Sequence, residues 1–137
     1  MNYGSLNHMP VGVFKTKWLA RFARRERITD ESLQEAIGRA ERGIIDADLG
    51  GGLIKQRVAR EGQGRSGGYR MLVAYRVQDR AVFLYGFAKN EQENIGPDEL
   101  ASLREIAAAW LDADADRIAN AVGARELQEV EHGEAGT

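Results

Sequence analysis

The sequence predicts an α+β domain: an N-terminal helical hairpin packed on a small antiparallel sheet of three to four strands, with a C-terminal helix. Three observations predict it. Apolar residues recur at helical spacing near both ends of the chain, they alternate with polar ones at strand spacing between residues 53 and 88, and turn-forming residues separate the two regimes.

Residues 1–10, with Gly4, Asn7, His8 and Pro10, show no period and read as a flexible leader. Val11 to Thr16 reads as a short first strand. Trp18, Phe22 and Ala23 then share one face of a helix, with Arg21, Arg24, Arg25 and Arg27 mostly on its other faces. Thr29 or Asp30 can cap a second helix that buries Leu33, Ile37 and Ala40 and ends at Gly43. After Gly50-Gly51-Gly52 come three strands, Leu53 to Arg60, Tyr69 to Val77 and Ala81 to Ala88. The last two are joined by Gln78-Asp79-Arg80, short enough for an antiparallel hairpin. In the middle strand Tyr69, Met71, Val73, Tyr75 and Val77 alternate with Arg70, Leu72, Ala74 and Arg76, so one face reads as core and the other as carrying arginines. Pro97 suits the first helical position, and Leu100, Leu103, Ala107, Trp110 and Leu111 line one side of the helix it opens. Residues 112–137 read as an acidic C-terminal extension, partly helical around Ile118, Ala119 and Val122 and then disordered.

At 137 residues, 29% charged and 43% hydrophobic, the chain is sized for one domain. It has no cysteine, which excludes a disulfide framework, thiol catalysis and a Cys-ligated zinc site. The longest strictly apolar run, Ile106 to Leu111, falls far short of the about 20 residues of a membrane span, so a cytoplasmic protein that does not engage a membrane is expected. The formal charge of -2 conceals a division. Residues 11–90 hold 16 Lys/Arg against 9 Asp/Glu, a net of +7, while the rest of the chain carries -9. A basic centre attracts a polyanion.

Several chemistries can be set aside. The two histidines, His8 and His132, sit in terminal segments, which disfavours a catalytic triad, a histidine-pair ribonuclease and a His-rich metal site. The aspartates at 46, 48, 112, 114 and 116 lack the glycine and closing glutamate of a calcium loop. No metal or cofactor is expected. Gly62-Gln63-Gly64-Arg65-Ser66-Gly67 satisfies GxGxxG in form, yet that fingerprint needs a helix after it to hold a pyrophosphate, and here a strand comes next. It reads instead as a hairpin loop. What remains is a set of cations on or beside the three strands: Lys55, Arg57, Arg60, Arg65, Arg70, Arg76 and Lys89. Taken singly each is an ordinary solvated side chain. Together they must face water or an anionic ligand, because a core cannot hold several unpaired cations. Tyr85 is among the aromatics near enough to offer a stacking surface.

The order of these motifs resembles the RelE/ParE superfamily of bacterial toxins, and its RelE-type and HigB-like members in particular. Lys55-Gln56-Arg57 is similar to the family's Lys-x-Lys on a strand. Gly68-Tyr69-Arg70 with its apolar strand matches Gly-Tyr-Arg, and Gly86-Phe87-Ala88-Lys89 resembles the Gly-Phe-x-Lys closing motif. The likeness extends over residues 11–111 as a RelE-like toxin domain. It implies the toxin of a type II toxin-antitoxin system: a metal-independent endoribonuclease that cuts messenger RNA in the ribosome by attack of a 2'-hydroxyl on the adjacent phosphate. The implied partners are the ribosome, its messenger and a cognate helix-turn-helix antitoxin. The oligomeric state stays open, a homodimer included.

Under that resemblance Lys55 is the candidate general base, since neighbouring cations disfavour a protonated amine. Arg70 holds the scissile phosphate through its planar fork. Arg57 and Lys89 complete the catalytic set, while Arg60, Arg65, Arg76 and Tyr85 bind RNA. The chain departs from RelE at Asn90, where an arginine is expected, and at Ile95, where a tyrosine is. The general acid is therefore open between Arg57, Lys89 and Tyr85. Two alternatives stand beside the nuclease: a ParE-like toxin that inhibits gyrase without cutting RNA, and a non-catalytic nucleic-acid-binding regulator. A further expectation concerns the acidic extension, which either solubilises the protein or folds back over the basic sheet.

Overall fold

Thr16 is where the first strand becomes the first helix. Its hydroxyl accepts a hydrogen bond from the Leu19 N–H at 3.2 Å, supplying one of the partners that a helix start lacks. Thr29 does the same for the second helix, accepting from the Ser32 N–H at 3.1 Å. The computed structural model describes residues 11–60, 64–89 and 95–131, with the backbone alone for Arg60 and residues 64–66. These form, in order, β1 (Gly12–Thr16), α1 (Lys17–Glu26), α2 (Asp30–Glu41), β2 (Ala47–Gly50), β3 (Leu53–Arg60), β4 (Gly64–Arg76), β5 (Arg80–Ala88), α3 (Pro97–Asp112), α4 (Ala115–Gly123) and β6 (Leu127–Glu129). The leader, both histidines and residues 132–137 lie outside the described residues.

The strands make one sheet in the order β2-β3-β4-β5-β1-β6. Every neighbouring pair is antiparallel except β1 and β5, which run parallel from Gly12 opposite Arg80 to Lys15 opposite Phe83. Six strands among the described residues correct the expected three to four. The additions are the short edge strands β2 and β6, and strands of four and three residues are too brief to show a period. Across the glycine-rich connection, Arg60 pairs with Gly64 as β4 begins, so a strand and not a helix succeeds the GxGxxG segment; Gly62 and Gln63 lie outside the described residues.

A second correction concerns the layers. On one face α1 and α2 cover Ile54, Val58, Tyr69, Met71, Val73, Tyr75 and Phe83. Each helix packs mainly on the sheet, α1 against β5 and β1 and α2 against β3, so the expected N-terminal helical hairpin is not matched exactly. The opposite face is also core: Leu53, Leu72, Ala74, Val82 and Leu84 pack with Ala107 and Leu111 of α3 and Ile118 and Ala121 of α4. The arginine-bearing face of β4 is thus apolar in its middle, and its arginines survive only at the two ends. Val77, expected on the first face, is exposed beyond the strand end.

The segment read as an acidic extension supplies α4 and β6. Ile118 and Ala121 are its buried helical positions, while Ala119 and Val122 face outward, and Leu127 has no exposed surface. Asp30 anchors the chain just past β6, accepting from Lys15 Nζ at 2.7 Å and from the Glu131 N–H at 3.0 Å. β6 sits at the sheet edge away from β2 and β3, so this strand does not cover Lys55 or Arg57.

Candidate nucleic-acid interface

Strand pairing brings three of the expected cations onto one face. Lys55 lies opposite Leu72, and Arg57 lies directly opposite Arg70, which in turn faces Phe87 on β5. Since Leu72 belongs to the core under α3, the parity of β3 and β4 sends Lys55, Arg57 and Arg70 to that same side. Cross-strand partners have Cβ atoms about 5 Å apart, where like charges repel. Among the described residues Arg57 is exposed and Lys55 and Arg70 are half-buried, so solvent weakens that repulsion.

The other side of β3 holds these cations in register. Gln56, with no exposed surface, points toward α2, where its Nε2 donates to the carbonyls of Ala36 at 3.0 Å and Ile44 at 3.2 Å. Its Oε1 accepts from the Asp46 N–H at 2.8 Å. Asp46 in turn accepts from the Arg57 N–H at 2.7 Å and lies 3.6 Å from Arg39 Nη1 and 3.9 Å from Arg57 Nε. Arg39 is buried, donates to Glu35 Oε2 at 2.9 Å and also reaches the Arg57 carbonyl. One carboxylate therefore stands behind Arg57, and Lys55 has none among the described residues.

Arg70 differs from every other described side chain in one respect: its Nη1 is buried with no hydrogen-bond partner. A buried donor left unpaired costs about 1–3 kcal/mol, and an anionic oxygen is the group that relieves it. Burial first, and the Arg57 charge second, lower the Arg70 pKa from its usual value, while the Asp46 carboxylate partly offsets them. The guanidinium stays charged regardless. An arginine with an unpartnered donor beside two further cations has a planar fork to offer an anionic oxygen.

Next to this row stand aromatic rings. Tyr85 lies opposite Leu72, so a line across the sheet runs Lys55, Leu72, Tyr85, beside the line Arg57, Arg70, Phe87. The Tyr85 ring is 6.2 Å from that of Phe87 and 4.6 Å from that of Trp18. Tyr85 also forms one wall of a cleft of about 600 Å³ with Ile95, Asp98, Glu99, Ser102, Leu103 and Ile106. Spacing alone puts Trp18 on the packed side of its helix, yet it is 40% exposed.

Lys89 and Arg76 lie at opposite ends of the sheet. Lys89 is exposed, and its N–H donates to the Gly68 carbonyl at 2.9 Å, which sets it at the same end as Arg70. Arg76 is at the other end of β4, six residues from Arg70 and so about 20 Å along the strand. It is paired with Asp79 at 2.9 Å and Asp112 at 3.4 Å and does not join the cluster. The side chains of Arg60 and Arg65, together with Asn90, lie outside the described residues.

Residues 11–130 match the RelE toxin of the RelE/RelB toxin-antitoxin system. The chain belongs to the RelE toxin family. A search of curated proteins finds no match. Membership places this RelE-family chain in a toxin-antitoxin system, with an antitoxin as the partner the family implies. The match also reaches well past residue 111, taking in α4 and β6 as family structure. Among the described residues no helix is long and apolar enough to cross a membrane.

Proposed function

We propose that this RelE-family toxin is a ribosome-dependent endoribonuclease that cleaves messenger RNA. The observation that carries the reading is the unpartnered, buried Nη1 of Arg70 beside Arg57 and Lys55 on one sheet face. In the reaction the 2'-oxygen loses its proton and bonds to the adjacent phosphorus while the bond to the 5'-oxygen breaks, leaving a 2',3'-cyclic phosphate and a 5'-hydroxyl. Three services are needed: a base for the 2'-proton, stabilisation of charge on the phosphoryl oxygens, and a proton for the departing 5'-oxygen. Lys55 serves as the base. Arg70 grips the phosphoryl oxygens and gains its missing hydrogen bond in doing so, with Arg57 sharing the charge. Arg57, Lys89 and Tyr85 all lie at this end of the sheet as donors to the leaving oxygen, and Tyr85→Phe, which removes only a hydroxyl, separates the tyrosine from the two cations.

The test is in vitro translation followed by primer extension. Wild-type protein produces cuts within ribosome-bound messenger, and Arg70→Ala reduces them at least ~10-fold, the loss of roughly 1.4 kcal/mol of transition-state stabilisation. Intact messenger with wild-type protein overturns the reading. A supercoiling assay on the same preparation then tells whether the toxin acts on gyrase, and salt-dependent nucleic-acid binding without cleavage marks a regulator.

A further inference from the structure

Trp18 has exposed surface that neither the core nor the proposed mechanism uses. The packing of α1 on the sheet is supplied by Leu19, Ala20, Phe22 and Ala23, which are all buried, whereas Trp18 leaves 40% of its surface open. The indole is nevertheless held in place. It stacks on Phe22 at 5.3 Å and 17° and on Tyr85 at 4.6 Å and 35°, and Phe22 in turn meets Tyr69 edge-on. Its location is set by the strand register. The pairing of β1 with β5 ends at Lys15 opposite Phe83, so past that point α1 instead of a strand flanks β5, and Trp18 lies against Tyr85 there. Tyr85 is two strands from Lys55 in the same cross-sheet line.

From this arrangement we propose that the Trp18 ring, backed by Tyr85, stacks on an unpaired base of single-stranded RNA next to the phosphate held by Arg70. The surroundings identify the occupant. An exposed indole held between neighbouring rings on a sheet that also carries a row of cations suits a ligand that alternates flat apolar rings with negative charges, and a base inside a duplex has no free face to offer. Stacking of this kind accepts any base, since every base has a π-face; the ring pair therefore sets the path of the strand and leaves its sequence open. The inference deepens the RNA-cleavage reading and rests on it for the identity of the ligand.

The experiment uses the full chain. It has two tryptophans, so Trp110→Phe leaves Trp18 as the single indole. Titration with a short oligouridylate quenches its fluorescence saturably, and an abasic ribose-phosphate oligomer of equal charge binds about 10-fold more weakly without quenching. Trp18→Leu, which keeps apolar bulk but removes the ring, weakens oligouridylate binding and messenger cutting about 10-fold, and Trp18→Phe restores both. Absence of quenching, equal affinity for the two oligomers, or full cutting by Trp18→Leu overturns the proposal. Failure of the cleavage reading is recognised separately, by intact messenger with wild-type protein, and the fluorescence titration still decides the stacking.

Discussion

At the scale of single residues, Gln56 shows how a side chain with no chemistry of its own holds those that have it. It sits between Lys55 and Arg57 in sequence and on the other side of the sheet in space, fully buried and bonded to Ala36, Ile44 and Asp46. Gln56→Leu keeps the volume and strands a buried N–H and two carbonyls, so it is expected to cost about 2–4 kcal/mol in chemical denaturation. Because Asp46 then loses its anchor, messenger cutting should also fall at temperatures where the variant remains folded; a cost below about 1 kcal/mol would refute this account of the buried glutamine. The shared side of Lys55 and Arg57 was legible in the sequence, since alternation along a strand is a local property, whereas Arg70 joins them through the pairing of β3 with β4. Gln56 and Arg39 were not. A glutamine between two cations reads as surface, and an arginine on a helix reads as solvated until Asp46 and the Arg57 carbonyl are brought to it.

At the scale of elements, Gly86 explains part of the closing motif. A Cβ there would come 2.5 Å from Met71 Sδ and 3.1 Å from a ring carbon of Phe22, so β5 needs a bare backbone where α1 and β4 press against it. Gly86→Ala should cost about 1–3 kcal/mol, the usual penalty of overpacking, and shift the Phe22 ring on which Trp18 stacks. Thermal denaturation checks it, and an unchanged Tm would mean that Met71 moves aside freely. The turn between β2 and β3 is the other place where glycine is required. Gly50, Gly51 and Gly52 have φ of 90°, 65° and 87°, and Arg104 of α3 lies over the first two while its Nε donates to the Leu49 carbonyl at 2.7 Å. The sequence marked that turn but offered no sign of β2 before it, nor of β6, because both are edge strands of four and three residues, too short to show a period.

At the scale of the whole molecule, stability should show a dependence on alkaline pH centred on the contact of α2 with the end of β4. The Tyr75 hydroxyl donates to Glu41 Oε2, which also accepts from the Gln78 N–H at 2.8 Å. Burial first, then the hydrogen bond to Glu41 and the negative charge of that carboxylate, raise the Tyr75 pKa well above its ordinary value. A raised folded-state pKa means that the stabilisation is complete below the unfolded value of about 10 and drains away as pH climbs past it. Tyr75→Phe should thus be about 1 kcal/mol less stable than wild type near pH 8, with the gap closing by about pH 11. Melting curves that stay parallel across that range would rule the mechanism out.

The local layout was set by the sequence by itself: where helices begin at Thr16, Thr29 and Pro97, where the chain turns, and which cations share a strand face, because caps, turns and alternation depend on residues a few positions apart. Tertiary structure alone decided the rest. It seated β1 parallel to β5, covered both faces of the sheet, left Arg70 with a free donor while tying Arg76 to Asp112, and turned Trp18 outward beside Tyr85. Those outcomes depend on contacts between segments tens of residues apart, and no local period carries information about which distant partner closes on a given side chain.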